Sequence, residues 1–282
     1  MSPLISVDEL DARLGNPDTV VLDASWYMPA EERDADADFA KARIQGAQRF
    51  DFDAKIKEPN SPLPHMMPTP SAFETAVRAM GISAQSQIVI YDGAGIFAAP
   101  RAWWMFKAMG HKDVGVLNGG LPAWIAEGKL VVNDVVAAPA MGDFTARPDA
   151  ARIADADHVL AALNSGTAIV DARGAPRFEG VVPEPRPGLR SGHMPGARNL
   201  PFDQLLMAGH YRGPDEIRRI WVAAGLPERG KIIASCGSGV TASVIALAAE
   251  AAGLPPVTVY DASWSEWGQE SRSDLPVVTG KP

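Results

Sequence analysis

The chain has a single cysteine, Cys236, which lies in a short glycine-rich loop, CGSGVTA, after an apolar run. A loop of this kind between a strand and a helix can turn several backbone N–H groups inward, and the helix directs the positive end of its dipole at the sulfur. Both effects stabilise an anion and therefore favour the thiolate, which is the nucleophilic form of cysteine. The same N–H groups could hold a persulfide. A lone cysteine is often a small core residue, but the polar and glycine neighbours of Cys236 favour a reactive site.

Other kinds of chemistry lack the residues that they need. A cysteine phosphatase requires an arginine six residues after the cysteine to bind phosphate, and Ala242 stands at that position. One cysteine excludes an internal disulfide and a multi-cysteine metal site. The histidines show neither the HxxxH nor the HExxH spacing of metal sites. They are His65, His111, His158, His193 and His210. We therefore expect neither a metal nor an organic cofactor.

The composition is that of an ordinary globular chain, with 282 residues of which 46% are apolar and 21% charged. This length is sufficient for two domains with separate cores. The formal net charge of -8 and the lack of basic runs argue against binding to nucleic acid or to an anionic membrane. No apolar run approaches the ~18–20 residues of a membrane span. The N-terminal segment carries acidic residues where a signal peptide has an apolar core. We therefore expect a cytoplasmic protein.

The two halves of the chain repeat the same landmarks at a nearly constant offset, which indicates a tandem duplication. Each half has an apolar run that ends in aspartate, at Asp23 and at Asp171, and then a Gly-Ala turn. A buried-looking strand follows and leads into a glycine-rich loop, and a tryptophan-bearing segment closes the half. In this alignment Asp92 occupies the position of Cys236. Because an aspartate cannot replace a thiolate nucleophile, we expect only the second half to react.

Short apolar strands alternate with helical segments, which predicts an α/β fold with a mostly parallel sheet flanked by helices in each half. The stretch 133–151 is rich in alanine and proline, so it predicts a linker. We predict an N-terminal, non-catalytic domain at 1–132 and a C-terminal, catalytic domain at 152–282. The helix after Cys236 is predicted to be amphipathic. The predicted helices are Ser71–Met80, Ala99–Met109, Ala156–Leu163, Pro214–Ala224 and Ala242–Ala252.

The chain resembles the rhodanese superfamily over essentially its whole length. The loop CGSGVTA (236–242) resembles the active-site loop of the 3-mercaptopyruvate sulfurtransferase branch. The segments HMPGA (193–197) and YDASWSEW (260–267) resemble the two signatures of the family. Met194 stands where another aliphatic residue is usual, and Ala262 stands where glycine is common. The resemblance implies two tandem rhodanese-like domains, of which only the second is catalytic.

The resemblance also implies roles for residues outside the loop. Arg177 and Arg186 lie in a segment that resembles the substrate loop of this branch, and they would hold the carboxylate and keto oxygen of an α-keto acid. Asp53 would orient His65, which would contact the Ser238 hydroxyl and move a proton as the sulfur leaves. A lone histidine in a proline-rich loop is also compatible with simple packing. The loop residues implied in binding are Gly237, Gly239, Val240 and Thr241.

Together these residues predict a sulfurtransferase that moves sulfane sulfur from 3-mercaptopyruvate through a Cys236 persulfide to a thiol or cyanide acceptor and releases pyruvate. Thiosulfate:cyanide sulfurtransferase is one alternative, although that enzyme typically carries Arg and Lys directly after the cysteine, where this chain has Gly237 and Ser238. A rhodanese-like module that only binds partners or senses oxidation is the non-enzymatic alternative. The expected partners are a small-molecule sulfur donor and a thiol acceptor, such as a thioredoxin-like protein, with no nucleic acid and no membrane.

Overall fold

The structure is a computed structural model that describes residues 1–135 and 137–281. By the density of its contacts the chain divides into two units. The first unit comprises Met1–Pro59, Met67–Asp149 and Ala208–Tyr211, and the second comprises Asn60–Met66, Ala150–Met207 and Arg212–Pro282. The domain boundaries predicted from the sequence stay a prediction. The predicted linker contains Val136, and the predicted second domain ends in Pro282, and both residues lie outside the described ones.

Short strands and helices alternate along the described residues, as the sequence predicts. The strands are β1 (Leu4–Ile5), β2 (Thr19–Asp23), β3 (Arg43–Ile44), β4 (Gln48–Arg49), β5 (Gln87–Tyr91), β6 (Val114–Leu117), β7 (Val131–Val132), β8 (Ile153–Ala154), β9 (Ala168–Asp171), β10 (Arg198–Asn199), β11 (Leu206–Met207), β12 (His210–Tyr211), β13 (Ile232–Ser235) and β14 (Val257–Tyr260). The α-helices are α1 (Val7–Asp11), α2 (Ala35–Lys41), α3 (Pro70–Ala79), α4 (Ala99–Ala108), α5 (Gly120–Ala126), α6 (Ala156–Ala162), α7 (Ala175–Phe178), α8 (Pro214–Ala223), α9 (Val240–Ala251) and α10 (Trp264–Trp267).

Each unit contains a parallel five-stranded sheet, and the two sheets have the same strand order. The order is β1-β6-β5-β2-β4 in the first unit and β8-β14-β13-β9-β10 in the second. The last residue of β2 pairs with the last residue of β5, and the last residue of β9 pairs with the last residue of β13. The next residues along the chain, Asp92 and Cys236, therefore occupy equivalent positions at the carboxyl ends of their strands. The α/β fold and the duplication are confirmed.

Each sheet has its own core. Helices cover the strands of a parallel sheet, so the strands consist of nearly continuous apolar runs. In the second unit α9 packs against β13 and β14, and α6 packs against β8 and β9. The core beneath α6 includes the fully buried Trp264 and Trp267. In the first unit α4 packs against β5 and β6. A separate apolar cluster there includes Val89 and Trp124.

The five helices predicted from the sequence are confirmed, each within two residues of its predicted ends. The prediction that the helix after Cys236 is amphipathic is wrong, because α9 is buried along almost its whole length from Val240 to Ala249. Its small side chains, most of them alanine, allow close packing around the helix. The helix begins at Val240 because Gly239 adopts a left-handed backbone conformation, with φ of 79°, and ends the preceding loop.

No helix in the described ranges is both long and apolar enough to span a lipid bilayer.

Candidate active site

The Cys236 loop connects the end of β13 to the start of α9. Cys236 is buried, with only 2% of its surface exposed. The residue before α9 is Gly239, so no side chain caps the first turn of the helix. The N–H groups of that turn are therefore available to an anion in front of the helix, and the helix dipole adds to their attraction. This geometry agrees with the sequence-based expectation of an anion-holding loop.

The start of α10 fixes the orientation of the loop. The N–H of Trp264 donates to the carbonyl oxygen of Cys236 at 3.0 Å, and the N–H of Ser265 donates to that of Gly237 at 2.9 Å. In a planar trans peptide the N–H points opposite to the carbonyl. Because the carbonyls of Cys236 and Gly237 face α10, the N–H groups of Gly237 and Ser238 point to the opposite side. The C-terminal segment thus turns two loop N–H groups away from α10.

Ser263 supports the cysteine directly, a role that sequence reasoning missed. Its hydroxyl oxygen accepts a hydrogen bond from the Cys236 N–H at 3.0 Å and donates to the carbonyl oxygen of Tyr260 at 2.8 Å. The same oxygen lies 4.0 Å from the Cys236 sulfur. Ser263 has a φ of 52°, a left-handed conformation that is strained for a residue with a side chain. The surrounding contacts hold it there. The segment YDASWSEW marks this region in the sequence, but nothing in it singles out Ser263.

The equivalent loop of the first unit holds an anion that belongs to the chain itself. One carboxylate oxygen of Asp92 accepts a hydrogen bond from the N–H of Ala94 at 2.9 Å. The other accepts from the N–H groups of Phe97, Ala98 and Ala99 at 2.8–3.0 Å. A glycine-containing loop in front of a helix therefore gathers N–H groups around a negative charge in this fold. Asp92 thus lies at the position equivalent to Cys236, as predicted. Its carboxylate occupies the place that a sulfur anion would take.

Arg177 and Arg186 both reach the Cys236 loop. A methyl group on Gly237 would lie 3.2 Å from Arg177 Nη2 and 3.9 Å from Arg186 Nη1. A glycine at this position therefore lets two guanidinium groups approach the backbone directly beside the cysteine. Arg177 lies on α7, which follows β9, and Arg186 lies on the loop that follows α7. The structure brings together the two arginines and the cysteine that the sequence singled out. We call Arg177 and Arg186 the arginine pair.

A chain of buried charges holds Arg177 in place. The guanidinium of Arg173 donates to both carboxylate oxygens of Asp171 and, through Nη1 at 2.8 Å, to Glu184. Glu184 in turn accepts from Arg177 Nη2 at 2.5 Å and from Nε at 3.2 Å. The side chains of Asp171, Arg173 and Glu184 are each 1% exposed, whereas that of Arg177 is 28% exposed. Arg173 also lies 4.1 Å above the ring of Trp264. This ion-pair network was not predicted from the sequence.

Burial disfavours the charged form of Arg173, but the charges and hydrogen bonds of Asp171 and Glu184 outweigh it and raise the pKa of Arg173. The guanidinium therefore stays charged throughout the accessible pH range. A permanent positive charge between two buried carboxylates keeps both of them in place at the edge of the site.

The remaining predicted residues lie in two different units. Ser238 and Val240 are buried in the Cys236 loop and Thr241 is partly buried. His65 belongs to the second unit, is 1% exposed and has a φ of 60°. The residues before it line a cavity of about 460 Å³ together with Arg186 and Gln269. Asp53 belongs to the first unit. The predicted relay from Asp53 through His65 to Ser238 stays a prediction.

Across residues 1–135 and 137–281, no three histidine, cysteine, aspartate or glutamate side chains converge in a way that could hold a metal ion.

Comparisons with known proteins agree with the fold. The model of the rhodanese-like domain matches residues 6–127 and 155–270. The chain is 40% identical over 275 residues to the 3-mercaptopyruvate sulfurtransferase of Escherichia coli, covering 97% of this chain and 96% of that protein. It is 38% identical over 302 residues to the mitochondrial thiosulfate/3-mercaptopyruvate sulfurtransferase 1 of Arabidopsis thaliana, covering 98% and 78%. The crystal structure of the Escherichia coli 3-mercaptopyruvate sulfotransferase SseA matches with a TM-score of 0.85 and 36% identity, covering 94% of this chain and 100% of that one.

Proposed function

The chain belongs to the rhodanese-like family, and from this premise we propose that it is a 3-mercaptopyruvate sulfurtransferase whose nucleophile is Cys236. The observation that carries the proposal is the approach of the arginine pair to Gly237, directly beside the cysteine. Two guanidinium groups suit the carboxylate and keto oxygens of an α-keto acid, because arginine binds planar oxyanions through parallel hydrogen bonds. The names of the curated relatives support the same donor.

The reaction begins when the Cys236 thiolate attacks the thiol sulfur of 3-mercaptopyruvate. A sulfur–sulfur bond forms and the carbon–sulfur bond of the donor breaks. The electron pair of the broken bond stays with the carbon as the enolate of pyruvate, and the arginine pair stabilises its oxygens. The proton of the donor thiol ends on this carbon, which gives pyruvate and leaves Cys236 as a persulfide anion. Asp53, His65 and Ser238 would relay that proton.

The loop then stores the sulfur until an acceptor arrives. The N–H groups that face away from α10, together with the first turn of α9, would stabilise the persulfide anion. The backbones of Gly237, Gly239, Val240 and Thr241 supply these groups. A thiol acceptor, such as a thioredoxin-like protein, or cyanide attacks the outer sulfur and restores the Cys236 thiolate. This is double-displacement chemistry on one nucleophile, and it takes place in the cytoplasm.

Mass spectrometry of the intact protein tests the proposal. After incubation with 3-mercaptopyruvate and removal of the excess, we expect a gain of one sulfur atom that a reducing agent reverses, with stoichiometric pyruvate in solution. A protein that gains no sulfur and forms no pyruvate would be the binding or redox-sensing module instead. The Arabidopsis relative is named for both donors, so thiosulfate is the second candidate. A parallel incubation with thiosulfate measures how much persulfide forms from that donor.

Arg186→Ala tests the carboxylate contact. We expect the KM for 3-mercaptopyruvate to rise about tenfold to a hundredfold, because hydrogen bonds to a charged group are lost, while kcat falls less. For mercaptoacetone, which has the ketone but no carboxylate, the KM should change far less. Steady-state kinetics with both donors checks this. Arg198→Ala is the matched control, because Arg198 is an exposed arginine of the same unit. Equal changes for the two donors would mean that Arg186 does not bind the carboxylate.

A further inference from the structure

Glu184 neutralises one member of the arginine pair. Its carboxylate binds Arg177 through two hydrogen bonds, and the same nitrogen, Arg177 Nη2, faces both Glu184 and the Gly237 backbone. The side chain of Glu184 is 1% exposed, so water screens this contact very little. The charge of Arg177 is thus opposed by a fixed negative charge at 2.5 Å. A substrate at Gly237 meets an arginine that can still donate hydrogen bonds but offers little net charge.

The whole buried network is electrically neutral. Asp171 and Glu184 carry two negative charges, and Arg173 and Arg177 carry two positive charges. Arg186 lies outside this network, and in the described part of the second unit no carboxylate forms an ion pair with it. Glu270 lines the same cavity as Arg186, but it is exposed and solvent screens it. The side-chain charges of the arginine pair and of Glu184 beside Gly237 therefore sum to about one positive charge.

We infer that Glu184 is a specificity-determining residue, which by neutralising Arg177 leaves the pocket with the single charge of Arg186 and so favours a donor with one negative charge over a dianion. The inference rests on the proposed function and explains which sulfur donor the site prefers. Mercaptopyruvate carries one carboxylate, whereas thiosulfate is a dianion. A change of one unit in the charge of the pocket acts once on a monoanion and twice on a dianion. The ratio of the two activities therefore reports the charge of the pocket.

Glu184→Gln removes the charge and keeps the shape and one acceptor oxygen. We expect the ratio of kcat/KM for thiosulfate to kcat/KM for 3-mercaptopyruvate to rise about tenfold. Glu184→Asp keeps the charge and withdraws the carboxylate, so it should weaken both activities with little change in the ratio. Glu228→Gln makes the same chemical change at an exposed site before β13, at the opposite end of that strand from Cys236, and should leave the ratio unchanged. These variants separate the charge of Glu184 from its part in positioning Arg177.

Inhibition of the unmodified protein tests the inference without any variant. Pyruvate, a monoanion, should compete with 3-mercaptopyruvate more strongly than sulfate, and Glu184→Gln should lower the inhibition constant of sulfate more than that of pyruvate. Stronger inhibition of the unmodified protein by sulfate would overturn the inference. An unchanged ratio of kcat/KM for thiosulfate to kcat/KM for 3-mercaptopyruvate in a folded Glu184→Gln protein would also overturn the inference. So would a change in this ratio in Glu184→Asp that equals the change in Glu184→Gln. If the unmodified protein formed no pyruvate at all from 3-mercaptopyruvate, the proposed function itself would fail.

Discussion

Cys236→Ser should lower kcat/KM for 3-mercaptopyruvate by about 10⁴-fold or more, the scale seen when a covalent nucleophile is removed. A serine hydroxyl in this loop is not ionised at neutral pH and does not attack a thiol sulfur. The contacts that orient the loop should persist, because Ser263, Trp264 and Ser265 all form hydrogen bonds with backbone atoms of the loop. The measurement is pyruvate release, with the persulfide followed by intact-protein mass spectrometry.

The fold of the Cys236→Ser variant has to be verified alongside its activity. Only one buried atom changes, so the thermal unfolding midpoint should stay within a few degrees of that of the unmodified protein. Ser243→Ala is a useful comparison, since Ser243 lies on α9 and is fully buried, but it faces the carbonyl of Gly239 instead of the substrate. It should retain most of the activity. A folded Cys236→Ser protein with activity near that of the unmodified protein would rule out Cys236 as the nucleophile.

Arg173→Met should lower the free energy of unfolding by about 3–5 kcal/mol, the usual cost of removing one partner from a buried ion pair. Methionine has a similar length and is apolar, so the change leaves Asp171 and Glu184 buried with an uncompensated charge. It also removes the guanidinium that lies 4.1 Å above the Trp264 ring. Urea unfolding followed by circular dichroism measures the loss.

Arg218→Met provides the control for Arg173→Met. Arg218 also pairs with an aspartate, Asp215, but the two side chains are 42% and 94% exposed. Exposed ion pairs contribute little, so the free energy of unfolding should change by less than about 1 kcal/mol. If Arg173→Met were as mild as Arg218→Met, the buried network would not be what stabilises this edge of the sheet.

The sequence predicts the framework of the site because the framework depends on local patterns. Apolar runs ending in Asp23 and Asp171 indicate strands, and the repeated landmarks align Asp92 with Cys236 before any coordinates are considered. The parallel registers of the two sheets agree with that alignment. The arginine pair is implied by the resemblance of its segment to the substrate loop of the family, and a proline-rich loop after a strand is also a usual place for binding residues.

The partners of those residues could not be predicted in the same way. Glu184 lies in an irregular loop without periodicity, and only the folded chain brings it to Arg173 and Arg177. Ser263 acts through its hydroxyl on a backbone N–H far away along the sequence, at Cys236. The burial of α9 likewise depends on what packs around it, and its alanine-rich sequence does not distinguish one covered face from several. Hydrogen bonds between distant segments are properties of the tertiary structure.

The carboxylate of Asp92 would make a second reactive centre difficult to introduce in the first unit. Residues 93–98 separate Asp92 from α4, whereas only residues 237–239 separate Cys236 from α9, so the two loops have different lengths. Ser25 stands two residues after Asp23, where the second unit has Arg173 two residues after Asp171. A cysteine introduced at position 92 would enter a loop shaped around the oxygen atoms of a carboxylate. Replacing Asp92 alone would leave the N–H groups of Ala94, Phe97, Ala98 and Ala99 without their acceptor. We therefore expect that a single exchange at position 92 does not create a second reactive loop.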